Sequence, residues 1–92
     1  MANSKQQEKR VRVAARQRLE NLRYKTQIKT LFRRLGTAVD GGDAEQISDA
    51  HRRLTVLLDR AAARHAIHRN QAARKKSQAA RLVSEARAAV AD

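Results

Sequence analysis

The chain has 92 residues, with no cysteine, proline or tryptophan, and 21 Lys and Arg against nine Asp and Glu give it a net charge of +12. That length allows one small domain without a deep core. The absent cysteine excludes disulfides and thiolate metal sites, and no apolar run approaches the ~18 residues of a membrane span or forms a secretory leader.

Abundant Ala, Leu, Arg, Lys, Gln and Glu predict an all-α chain, and no run of alternating β-branched residues competes. Residues 1–4 are expected to form a disordered tail, followed by helix one over about 5–39. Its first thirty residues, Lys5 to Arg34, hold eleven Lys or Arg against Glu8 and Glu20. At ~100° per residue, Tyr24, Ile28, Leu31, Phe32, Leu35 and Val39 form an apolar row, with Lys5, Lys9, Arg12, Arg16, Arg23 and Arg34 roughly opposite. Val11, Ala15, Leu19 and Leu22 lie on a different azimuth. Either they meet a different neighbour higher on the helix, or they touch a partner directly.

Asp40-Gly41-Gly42-Asp43 is the clearest punctuation. The glycines suit a left-handed helix end, Asp43 suits a cap, and Gln46 completes a capping-box pattern. Helix two is expected over about 44–63, burying Ile47, Ala50, Leu54, Leu57, Leu58 and Ala61. Helix three follows over about 67–89, with Ala72, Ala79, Val83, Ala86 and Val90 inward. Nothing between them is Gly, Pro or Asn. A turn near His65 is nevertheless expected, because His tolerates the left-handed region and three helices close a core better than two. One continuous helix from Asp43 is the alternative.

Folding this pattern up-down-up predicts a three-helix bundle with a long first helix projecting beyond it. Residues 1–34 carry a net +9 and residues 60–81 a net +7, whereas residues 40–59 carry −3. The two basic blocks then meet at one end, the acidic residues gather at the other, and such segregation points to a polyanion surface. Nucleic acid is the expected partner, because each phosphate neutralised also releases counterions. On helix three, Asn70, Arg74, Ser77 and Arg81 recur opposite the core row, with donors suited to phosphate. Ala73 and Ala80 beside them leave room for a backbone to approach.

Other chemistry has little support. His65 and His68 share a helix face, but no carboxylate lies near enough to complete a metal site. No phosphate loop or catalytic constellation exists, so neither an enzyme, a cofactor nor a small-molecule substrate is expected.

The segment Ile67-His68-Arg69-Asn70-Gln71-Ala72-Ala73-Arg74-Lys75-Lys76-Ser77 resembles the bacterial small-subunit ribosomal proteins of the S-twenty family. Met1-Ala2-Asn3-Ser4-Lys5 is similar to that family's start. Asn21, Thr30, Arg33-Arg34, Gly42-Asp43 and Asp59-Arg60 fall where its members place like residues. The resemblance spans essentially the whole chain. It implies a cytoplasmic protein, monomeric within the ribosome, that binds small-subunit ribosomal RNA and bridges its 5′ domain and long penultimate stem. The contacts it implies are Lys5, Lys9, Arg10, Arg12, Arg16, Arg18, Asn21, Lys29, Thr30, Arg33, Arg34, His68, Arg69, Asn70, Arg74, Lys75 and Ser77. The charge pattern adds Arg23, Lys25, Arg64, Lys76 and Arg81.

Three departures stand out. His65 replaces a frequent turn glycine. Glu8, Val11, Val13 and Ala14 make the N-terminal arm less basic than usual, and Tyr24 occupies a position that is often basic.

The expectation is therefore an RNA-binding structural protein that clamps separate RNA helices, reading shape and phosphate more than bases, with an arm that orders on binding. A histone-like DNA-binding protein is the alternative. A basic helix acting at anionic membranes ranks last, since the Lys5–Arg18 region lacks bulky apolar residues.

Overall fold

Without proline, the backbone has no reason to break before the paired glycines, and α1 runs unbroken from Ala2 to Gly41. It is followed by α2, Ala44–Ala63, and α3, Arg69–Ala91. This computed structural model describes the backbone of residues 2–91 and the side chains of residues 4–89. Residues 2–4, expected as a disordered tail, continue α1 as helix, because nothing in Ala2-Asn3-Ser4 interrupts helical hydrogen bonding. Met1 lies outside the described residues.

Local chemistry sets the first turn. Gly42 takes φ +75, and its N–H donates to the Ala38 carbonyl at 3.1 Å. This is the left-handed cap that glycine adopts without steric cost. Asp43 then opens α2: its Oδ1 accepts from the N–H groups of Glu45 (2.9 Å) and Gln46 (3.4 Å), two donors that α2 itself leaves unpaired.

The second turn uses the same geometry without glycine. His65 takes φ +59. Its N–H donates to Ala62 at 3.0 Å and that of Ala66 to Ala61 at 2.9 Å, the paired bonds of a Schellman motif. Ala61 and Ala66, both buried, supply the apolar contact that accompanies it. Because Ala66 and Ile67 turn inward as core, α3 begins at Arg69, two residues later than its periodicity suggests. His68 caps it, its Nδ1 accepting from the Asn70 N–H at 3.1 Å.

The core is a narrow seam. Leu35, Leu54 and Leu58 are its largest fully buried side chains, joined by Ile28, Ala38, Ile47, Ala61, Ala66, Ile67, Ala72, Ala79 and Val83. Tyr24, Leu31, Phe32, Val39, Ala50, Leu57, Leu82 and Ala86 are partly buried against it. The expected Val90 lies beyond the described side chains. With five alanines in the seam, the helices approach closely but bury little area each. Apolar burial is worth about 25 cal/mol per Å², so the bundle is modestly stabilised.

Only part of α1 belongs to this bundle. At about 1.5 Å per residue, the 20 residues of α2 reach half the length of the 40-residue α1. The α2–α3 turn comes down near Glu20 and Arg23, and α1 continues past it as a lone helix. Overall extents of 72 × 21 × 13 Å and a radius of gyration of 18.1 Å follow. A compact chain of this length has a radius of about 12 Å. The molecule is a rod.

Candidate nucleic-acid interface

Every described side chain from Ser4 to Glu20 is exposed. Lys5, Lys9, Arg10, Arg12, Arg16 and Arg18 therefore ring the projecting arm, with Glu8 and Glu20 as its two carboxylates. Of the second apolar row, Val11, Leu19 and Leu22 stay 57–68% exposed, and Ala15 is exposed as well. Of the two readings of this row, packing on a neighbour higher on the helix is overturned, since both other helices stop short of it. Further along α1, Arg23, Lys25, Lys29, Arg33 and Arg34 are exposed, and Asn21 is half-buried. The Thr30 hydroxyl donates to the Thr26 carbonyl at 3.0 Å, which leaves Thr30 an oxygen acceptor rather than a free donor.

On α3 the outward row keeps its predicted placement. Asn70, Arg74, Ser77 and Arg81 are exposed, as is Arg69 near the helix start. Lys75 and Lys76 differ. Both lie within roughly 60° of the core row, so their stems run along apolar surface and both are half-buried. Lys75 Nζ sits 5.7 Å from the centroid of the Phe32 ring on α1. Lys76 Nζ pairs with Asp59 on α2 at 2.8 Å. These two cations are tied to the bundle. His68, also expected as a contact, uses one ring nitrogen as the α3 cap, leaving only Nε2 for another partner.

Where the arm leaves the bundle, α1 and α2 enclose a cleft of about 310 Å³. Tyr24 and Gln27 of α1 and Leu57 of α2 line it, together with Arg23, Arg60, Arg64 and Glu20. Among the described residues, none of these four charged side chains forms an ion pair; the bridges that do form join Asp49 to Arg52 and Arg53, and Asp59 to Lys76. Arg60 was absent from the sequence-based contacts. Its signal was available: four residues before Arg64, it shares that residue's helix face, and an antiparallel α2 turns both toward Arg23.

The two basic regions meet at this end, because the α2–α3 turn lies beside the base of the arm. At the other end, Asp40, Asp43 and Glu45 are exposed around the first turn. Cations concentrated toward one end raise the local phosphate concentration and orient its approach. Among the described residues no group of His and carboxylates could hold a metal ion, and no helix is long and apolar enough to cross a membrane.

Residues 2–84 match the family model described as ribosomal protein S20. The chain is 44% identical over 84 residues to the small ribosomal subunit protein bS20 of Beutenbergia cavernae, covering 91% of this chain and 98% of that one. It is 42% identical over 91 residues to the protein of that name from a Roseiflexus species, covering 97% of each. With the Kocuria rhizophila protein of that name, identity is 38% over 85 residues, 92% of this chain and 99% of the other.

Proposed function

The chain belongs to the ribosomal protein S20 family, and on that premise we propose that it binds small-subunit ribosomal RNA directly, fixing separate RNA helices relative to one another. Its role is structural, as a component of the small ribosomal subunit in the cytoplasm. The observation that carries the direct contact is the pair of uncovered cationic surfaces, the arm of α1 and the Asn70–Arg81 row of α3.

The arm runs along one phosphate track while the α3 row holds a second, and the rigid bundle sets the distance between them. A-form RNA hides its bases in a deep, narrow major groove. Arginines on a straight helix therefore read the position of phosphates, and shape supplies the selectivity. The 5′ domain and the long penultimate stem are the two RNA regions that the family resemblance implies, and the chain acts there as a monomer.

A filter-binding titration against small-subunit ribosomal RNA tests this, with duplex DNA as competitor and salt varied. Binding is expected to survive excess DNA, with a salt slope corresponding to several neutralised phosphates. Equal competition by DNA would make the chain a non-specific nucleic-acid packager instead.

A further inference from the structure

The cleft between α1 and α2 is unlike the rest of the basic surface, because it contains a ring and a carboxylate. Tyr24 is half-buried, packed against the core while it also lines the cleft. A ring held in that way is a ready stacking platform that loses little freedom when a flat partner covers it. Arg60 and Arg64 approach from α2, and Glu20 stands beside them without an ion-pair partner among the described residues.

A site for phosphate alone is badly served by a carboxylate, which repels the anion. Glu20 offers only acceptors, and it suits a ligand edge that presents two adjacent donors. Among RNA bases, guanine presents such an edge, with N1–H beside the N2 amino group. The volume of about 310 Å³ is at the lower bound of pockets that take small molecules, roughly 300 Å³. We propose that this cleft receives an unstacked guanine nucleotide of the bound RNA, with its base on Tyr24, its Watson–Crick edge donating to Glu20 and its phosphate on Arg60 and Arg64. The proposal rests on the RNA-binding reading above and adds one base-specific contact to a surface that otherwise reads shape. Bulged and looped bases are the ones RNA-binding proteins recognise in this way.

Tyr24 is the one tyrosine of a chain without tryptophan, so ultraviolet emission reports the cleft directly. The full chain is titrated with a transcript of small-subunit ribosomal RNA, following tyrosine emission and filter-binding affinity together. Quenching on binding is expected. Glu20→Gln is the sharper test, because Glu20 is exposed and outside the core. A carboxylate that merely repels a polyanion gives tighter binding once neutralised. One that holds a base gives weaker binding, by roughly tenfold, the scale of one base contact. Unchanged emission, or Glu20→Gln binding as tightly as the unaltered chain or more so, would overturn the cleft and leave RNA binding standing. Failure of the unaltered chain to prefer this RNA over DNA would instead overturn the RNA-binding reading itself.

Discussion

Residues 4–20 and residues 24–39 belong to one helix with the same backbone geometry. All described side chains of the first stretch are exposed, whereas the second contributes Ile28, Leu35 and Ala38 to the core. The difference does not come from helix formation, since both stretches are helical. It comes from the length of α2, which ends where the arm begins. A lone helix of this length is marginal in water, and six cations within fourteen residues (Lys5 to Arg18) repel one another along it. Stability thus belongs to the lower half of α1, while the upper half is left uncovered for the proposed binding.

That division is open to measurement. The largest expected effect is on the bundle side: Leu58→Ala, at a fully buried position, should cost about 2–5 kcal/mol in chemical denaturation. Affinity per folded molecule should barely change. On the arm, replacing Arg12 and Arg16 together by alanine should weaken RNA binding about tenfold and lower the salt slope by up to ~2. The thermal midpoint should hold. A matching drop in stability would show that the arm is part of the cooperative unit.

Smaller effects sharpen the same contrast. His65→Gly relieves a left-handed residue of about 1–2 kcal/mol of steric cost, offset in part by glycine's freedom in the unfolded chain. A net gain of roughly 1 kcal/mol is expected in the melting curve, with RNA affinity unchanged. Smallest is Lys76→Ala, which removes a half-exposed ion pair worth below about 1 kcal/mol. It should weaken RNA binding less than Arg74→Ala does. The reverse order would mean that Lys76 leaves Asp59 when RNA binds.

Much of the fold was legible because its signals are local. Gly42 and Asp43 announce a helix end and a helix start through their own conformational and hydrogen-bonding preferences. The leucine and alanine stripes of α2 and α3 need only helical pitch. The His65 turn was legible through the need to close a core, since no residue type there demands a break. What escaped depended on relations between elements. Burial of Ala66 and Ile67 follows from a turn directing two non-helical residues inward. The ties on Lys75 and Lys76 follow from their neighbours on α1 and α2. The uncovered Val11 and Leu19 depend on where α2 stops. The cleft around Tyr24 needs the register of two helices, which single-helix periodicity does not contain.

No polar or charged residue is buried among the described side chains, and α3 offers the seam only the small residues Ala72, Ala79 and Val83 against the leucines of α1 and α2. Sliding α3 by one helical turn would carry Lys75 or Lys76 to where Ala72 sits, so the seam itself resists a shift. Two contacts outside the seam add to that resistance. The Asp59–Lys76 pair joins α2 to α3, and Lys75 over Phe32 joins α3 to α1. Each is weak as a source of stability, yet each forms at a single longitudinal setting. If the spacing between two RNA tracks is what the bundle measures out, these surface contacts are the marks on its ruler.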